Sequence, residues 1–432
     1  MSISKDQKSA LDDLDAGRSV FLTGEAGSGK TWLVNEFIRR NPNRSIARLA
    51  TTGAAAQLIG GQTAHSFFRL NAGIYQPGQV SADLRLRAKI RGFRTIIIEE
   101  ISMARIDLFQ AVRDMLYSAA RGYGDFAGYQ LICVGDFAQL PPVCTPNERS
   151  MLEALYGEGA LFSFQSRHWD SLRTFELTTP HRQADDLGFA RWLGDLRAGR
   201  APDLDFINSR VGAPADPAAT TYLVATRSQA QRINEERMSA LPPGFFHIQG
   251  ETTGQFGSGM MPVPQKLFLK PDSRVVICAN NPSEGYINGS TGRLVKCRRD
   301  EKGKPVAEVI LDSGRAVLVK SKTWDNTQYD LTGGGEVGQK SLGTYTQLPL
   351  LPGWAITIHR SQGMSLDHLH IDPRGIFEAG QAYVALSRAT SLEALSFSAP
   401  FERTHFREDA RVRGYMGSAL GHARPDAAPQ PA

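Results

Sequence analysis

Residues 21–31 read Phe21-Leu22-Thr23-Gly24-Glu25-Ala26-Gly27-Ser28-Gly29-Lys30-Thr31, an apolar strand end running into G-x-x-x-x-G-K-T and then into a helical stretch. The glycines let the backbone curl until successive N–H groups face one point. The helix that follows adds the partial positive charge of its N-terminus, so the loop suits phosphate oxygens. In such a loop Lys30 reaches the β- and γ-phosphates, and the Thr31 hydroxyl ligates Mg²⁺. Gly24, Gly27, Ser28, Gly29, Lys30 and Thr31 are therefore the candidate ATP-binding residues. A glycine-rich turn with a chance lysine is the bland alternative; the strand before and the helix after argue against it.

Working outward, the chain up to about residue 180 alternates short apolar strands with helical stretches, as in a parallel sheet covered by helices. The strands expected are Ser19–Thr23, Ser45–Ala50, Thr95–Ile98, Gln130–Val134 and Thr174–Leu177. A second α/β stretch opens with Thr221–Ala225 and breaks off near Leu241-Pro242-Pro243-Gly244. From about 249 to 345 the pattern changes to short β-rich runs between Gly, Asn and Asp turns, which suits a small antiparallel barrel. The α/β pattern returns at Leu348 and continues to about Phe401, so the barrel reads as an insertion. A flexible loop is expected at Gly333–Gly335, and disorder in the Pro/Ala-rich tail from Gly421.

Composition agrees. The chain has 432 residues, 41% of them apolar and 22% charged, with a net charge of +5. That length exceeds one ordinary core and points to several domains. No apolar run approaches the roughly 20 residues that span a bilayer. The first residues lack the layout of a signal peptide, so a cytoplasmic protein without a membrane partner is expected. Cys133, Cys144, Cys278 and Cys297 are too scattered for a zinc site or a disulfide framework. The positive charge suits a polyanionic partner without requiring one.

Two further stretches carry chemistry. Thr95-Ile96-Ile97-Ile98-Glu99-Glu100 is a buried strand ending in two carboxylates. Beside a phosphate loop, Glu99 is assigned to Mg²⁺ and Glu100 to the attacking water. The first acid is more often Asp, but a carboxylate one methylene longer can still hold the ion through water. In Gly135-Asp136-Phe137-Ala138-Gln139-Leu140-Pro141-Pro142, Gln139 follows a strand by a few residues, where its amide can meet the γ-phosphate.

The chain also carries T-G-A-A-A-Q-L-I-G-G-Q-T-A-H-S-F (52–67), I-I-I-E-E-I-S-M (96–103), G-D-F-A-Q-L-P-P-V (135–143) and H-R-Q (181–183). N-G-S-T-G (288–292), W-A-I-T-I-H-R-S-Q-G (354–363) and Q-A-Y-V-A-L-S-R-A (381–389) follow. In this order the stretches resemble those of superfamily-1B DNA helicases, nearest the Pif type and related to RecD and Dda. The stretch 125–131 matches the Pif-type signature only in part, which leaves a divergent bacterial-type member or a Dda-like relative open.

The resemblance implies an α/β fold of two RecA-like domains with ATP between them. It places the first domain at 1–175, with a wedge insertion (1B) at about 69–92, and the second at 176–248 and 346–402. An SH3-like barrel (2B) falls at 249–345, and 403–432 is a C-terminal extension. It implies that Gln7 reads the adenine edge and that Arg182 and Arg388 reach the γ-phosphate from the second domain. Thr63, His65, Ser66 and Phe67 in the first domain, with Thr357, His359, Ser361 and Gln362 in the second, correspond to the single-stranded DNA contacts. The expected activity is ATP-dependent unwinding of tailed or forked duplex DNA, with 5′-to-3′ movement of a monomer. A translocase that strips proteins from DNA, an RNA helicase, and a nucleic-acid-binding protein with a decayed ATPase are the rivals.

Overall fold

The structure is a computed structural model that describes residues 3–71, 73–301, 303–331 and 337–420. Six strands, β1 Val20–Gly24, β2 Ile46–Ala50, β3 Gln62–Thr63, β4 Thr95–Glu99, β5 Gln130–Val134 and β6 Arg173–Leu177, form a sheet in the order β3-β2-β4-β5-β1-β6. All its ladders are parallel. Every residue of β1, β4 and β5 is buried, because helices cover both faces of the sheet. Alternate residues feed separate cores, as the two-residue period of a strand requires. Val20, Leu22, Ile132 and Val134 meet Leu11, Leu14, Leu33 and Phe37 on one face. Phe21, Leu131 and Cys133 meet Phe109, Leu116 and Trp169 on the other.

A second parallel sheet takes Ala355–Thr357, Thr221–Val224, Leu369–Ile371 and Leu395–Phe397 in that order. The architecture is thus the expected α/β pair of RecA-like units. Inserted in the second unit, between Thr221–Val224 and Ala355–Thr357, the β-rich segment pairs as three antiparallel groups. Ala316–Lys320, Pro305–Leu311, Thr291–Arg299, Arg274–Ile277 and Leu350–Pro352 form five strands around Val275, Ile277, Leu294, Val309 and Val319. Lys322–Leu331, Val337–Gln347 and Glu251–Gly254 form three, and Phe246–Gln249 pairs with Lys266–Leu269. Leu350–Pro352 belongs to the five-stranded group, so the chain rejoins the second parallel sheet at Ala355 and not at Leu348. The hairpin strands Lys322–Leu331 and Val337–Gln347 escaped the sequence reading because they are largely polar and lack alternation.

Segment 69–92, expected as the wedge insertion, packs in part on the first domain. Its backbone lies along the helix Ile106–Ser118: the N–H groups of Tyr75, Gly78 and Ala82 donate to Asp107 (3.1 Å), Asp114 (2.7 Å) and Ser118 (3.0 Å). Tyr75 is buried in that domain's core.

The C-terminal extension returns to the first domain. Val412 and Met416 of the helix Ala410–Ala419 join its core, the Tyr415 ring stacks on Phe164 at 4.4 Å, and Trp169 Nε1 donates to the Tyr415 hydroxyl at 2.8 Å. The expected Gly333–Gly335 loop and the tail from Gly421 lie outside the described residues. All four cysteines are free thiols, and among the described residues no helix is long and apolar enough to cross a membrane.

Candidate active site

The phosphate loop lies at the carboxyl end of β1, where parallel sheets open their ligand crevices. Gly29 caps the helix Lys30–Arg40 in a left-handed conformation (φ 88°), and no side chain caps that helix, so its first N–H groups face the loop's hollow. Gly27 also has positive φ, and a Cβ there would run into Arg182. Lys30 is folded onto the loop, its Nζ donating to the carbonyls of Gly24 (2.8 Å) and Glu25 (2.9 Å). Burial, with help from Arg197 and Arg182, lowers its pKa to about 8. Gln7 is buried beside Gly29, with its Nε2 3.4 Å from His181 Nε2.

Glu99 ends β4 and is 7% exposed. Burial, and then the neighbouring Glu100 charge, raise its pKa to about 7, and its Oε1 is buried without a hydrogen-bond partner among the described residues. A buried carboxylate oxygen left without a donor suits a cation. The hydroxyl of the exposed Thr31, at the start of the helix that follows the phosphate loop, is the second oxygen whose chemistry fits Mg²⁺. Glu100 follows in a left-handed conformation (φ 55°), and burial raises its pKa as well.

From the second domain, Gln362 Nε2 donates to Glu100 Oε2 (3.1 Å) and to Gln139 Oε1 (3.3 Å). Arg388, 1% exposed, and Arg182 donate only to hydroxyl and carbonyl oxygens: Arg182 to Ser365 Oγ (2.7 Å) and the Ser387 carbonyl (2.9 Å), Arg388 to Ser387 Oγ (2.8 Å) and the Val384 carbonyl (2.9 Å). Burial lowers Arg388 to about 10 and, together with Arg388, lowers Arg182 to about 9. Among the described residues neither arginine has an ion-pair partner, so both charges suit an incoming anion. The structure thus gathers Gly24, Gly27, Ser28, Gly29, Lys30, Thr31, Glu99, Glu100, Gln139, Arg182 and Arg388 around one cleft.

Other residues there were not singled out from sequence. The Tyr383 hydroxyl accepts from the Ala26 N–H of the phosphate loop at 3.1 Å. Asp136 is 1% exposed and bonded to Arg197 and Gln139. Tyr383 and Asp136 stand inside recognised stretches, where they could have been found. Arg197 ends an ordinary amphipathic helix and carries no such signal.

A family model described as PIF1-like helicase matches residues 2–205. The ATP-dependent DNA helicase Pif1 of Bdellovibrio bacteriovorus is 33% identical over 410 residues, covering 91% of this chain and 87% of that protein. The chain belongs to the PIF1-like helicase family. The Homo sapiens ATP-dependent DNA helicase PIF1 is 32% identical across 98% of this chain, which spans 66% of that relative's length. Bacteroides Pif1 in complex with ADP-AlF4 superposes with a TM-score of 0.87 at 26% identity over 98% of each chain. Bacteroides Pif1 bound to single-stranded DNA, at 27% identity and the same coverage, gives 0.68. With coverage equal, this PIF1-like chain superposes better on the ADP-AlF4 complex than on the complex with single-stranded DNA.

Of the expected DNA contacts of this PIF1-like helicase, three are engaged within the protein in this structure. Phe67 is fully buried against Phe68 and Phe93, with the Lys89 ammonium 4.2 Å from its ring centroid, so no face is open to a base. Ser361 is also fully buried, and its hydroxyl donates to the Ile358 carbonyl at 2.7 Å. Gln362 belongs to the acid and glutamine network of the ATP cleft. The remaining five retain surface. Thr63 caps the short helix Ala64–Phe68, accepting from the Ser66 N–H at 3.1 Å, and Ser66 Oγ accepts from Gln62. His65 is half-buried, and burial, then Arg105, lowers its pKa, which favours a neutral imidazole. Thr357 Oγ1 accepts from the Arg360 N–H, and His359 lies 3.4 Å from Glu378.

Proposed function

We propose that this chain is an ATP-dependent DNA helicase that moves 5′ to 3′ on single-stranded DNA and opens tailed or forked duplexes. One observation carries the reading. The phosphate loop and acids of one RecA-like unit face Gln362, Arg182 and Arg388 of the other, so ATP must bridge two bodies that can move apart. In this reading Lys30 and the loop N–H groups hold the phosphates, Gln7 meets the adenine, and Thr31 with Glu99 holds Mg²⁺. When bound, the ion neutralises charge shared by the β- and γ-phosphates. Glu100 takes the proton of the attacking water, and Gln139 contacts the γ-phosphate. Arg182 and Arg388 stabilise charge developing on the transferred group. Because those arginines come from the second unit, hydrolysis follows closure, and closure displaces one unit along the strand.

The partly exposed hydroxyls and imidazoles of Thr63, His65, Ser66, Thr357 and His359 suit backbone contacts that read no sequence. Bacteroides Pif1 has been seen bound to single-stranded DNA, and forked duplex unwinding in that relative is described for two coordinating helicases. The number of copies on a fork is therefore measured together with polarity. The domain limits remain part of the proposal, with the first unit extended to Leu177 at the end of β6 and the return to the second unit moved to Ala355. The test uses duplexes with a 5′ tail, a 3′ tail or none, with ATP and Mg²⁺. Unwinding is expected only with the 5′ tail; efficient opening from a 3′ tail alone overturns the polarity. Strand separation without ATP turnover overturns the motor reading.

A further inference from the structure

Arg197 belongs to none of the recognised stretches, yet it joins the two RecA-like units at the cleft. It ends the helix Leu187–Arg197, whose Phe189, Trp192 and Leu193 pack into the second unit's core. The helix crosses the phosphate loop closely, since a Cβ on Gly194 would lie 2.6 Å from the Glu25 carboxylate. At its end the guanidinium turns into the first unit. Nε donates to Asp136 Oδ1 at 3.1 Å, Nη2 to Thr23 Oγ1 at 3.2 Å, and Nη1 to Glu176. These acceptors stand on the loop after β5, on β1 and on β6.

Asp136 uses its carboxylate twice more. It accepts from the Gln139 amide at 3.3 Å and from the Ala138 N–H at 3.3 Å. The Gln139 carbonyl oxygen then accepts from Gln362, which also donates to Glu100. We propose that Arg197 is a positioning residue for ATP hydrolysis, holding Asp136 so that the Gln139 amide stays aimed at the phosphates. The proposal rests on the reading of Gln139 as the γ-phosphate contact.

Charge gives a second reason for the arginine. Asp136 is 1% exposed and lies within the electrostatic range of Lys30 and Arg388. A buried carboxylate deprived of its partner is left uncompensated. Asp136 would then draw on the two cations that the phosphates need. Lysine cannot fully replace the residue, because only a planar fork meets three acceptors on separate elements at once. Since the fork is carried by a helix seated in the second unit, Gln139 is aimed only while that helix is docked.

The full chain carrying Arg197→Met, Arg197→Lys, Gln139→Ala, or Arg197→Met with Gln139→Ala is assayed for single-strand-stimulated turnover, fluorescent ATP binding and thermal melting. Arg197→Met should lower kcat by about 100-fold, as displacement of a reacting geometry does, with ATP affinity little changed. Arg197→Lys should restore melting while restoring kcat only in part. Adding Gln139→Ala to Arg197→Met should cost little more, because both act on one step. A kcat for Arg197→Met close to that of the parent overturns the proposal. So do losses that simply multiply, to within about twofold, in the double variant. Should Arg197→Met fail to fold, the same cycle run with Arg197→Lys decides. Gln139→Ala with unchanged turnover refutes the reading of Gln139 itself, whatever Arg197 does.

Discussion

Lys30 spends its charge on two backbone carbonyls, so incoming phosphates must exchange places with the Gly24 and Glu25 oxygens. Its lowered value, about 8, makes that exchange depend on pH. Phosphates stabilise the ammonium and raise its pKa, so binding above pH 8 must take up a proton. ATP affinity should hold steady below that point and fall above it, by up to about tenfold per pH unit. Fluorescent-nucleotide titrations from neutral to alkaline pH check this, and a flat profile would count against it. Lys30 and Glu100 should also fail differently. Lys30→Ala loses nucleotide binding together with turnover. Glu100→Gln still binds ATP while turnover falls by roughly 10²–10⁴-fold, the range for loss of a general base. Full turnover in Glu100→Gln would move the base to Glu99.

Among the elements, the C-terminal helix Ala410–Ala419 has the least obvious role in sequence and a clear one in packing. Tyr415 stacks on Phe164 and takes the Trp169 indole N–H, tying the chain's end to the first unit after it has left the second. Tyr415→Phe keeps the stacking and strands the indole N–H, which should cost about 1–2 kcal/mol of unfolding free energy by denaturant titration. No measurable loss would show that the indole finds another acceptor. The long hairpin Lys322–Leu331 and Val337–Gln347 is the other element with a positional role. It rests on the first unit beside the Thr63–Phe68 stretch, and Gln57 Nε2 donates to the Asp325 carbonyl at 3.2 Å.

At the scale of the whole molecule, the chain superposes on the ADP-AlF4 complex of Bacteroides Pif1 with a TM-score of 0.87 and on the form with single-stranded DNA with 0.68. Adding single-stranded DNA should therefore change the scattering profile of the chain in solution, and an unchanged profile would mean that DNA binds this arrangement as it stands. Binding should also fall steeply with salt and vary little with base sequence, since backbone contacts release counterions. Affinity insensitive to salt would point to base-edge recognition instead.

Local chemistry was written in the sequence. The phosphate loop, the paired acids and both parallel sheets are short-range patterns, in which a glycine turn, an apolar run or a strand-end carboxylate means the same thing in any surroundings. Strand limits therefore agree within about a residue for most of the first sheet. The order of the recognised stretches also identified the family. Burial and partnership across the chain were decided only in three dimensions. Phe67 and Ser361 stand in stretches that the resemblance assigns to DNA but point inward, and side-chain direction depends on what packs behind the backbone. Gln362 meets the acids because Glu100 and Gln139, more than 200 residues away, present acceptors to its amide. Arg197 was invisible for the same reason, its three acceptors lying on separate first-unit elements that become neighbours only once the sheet has formed.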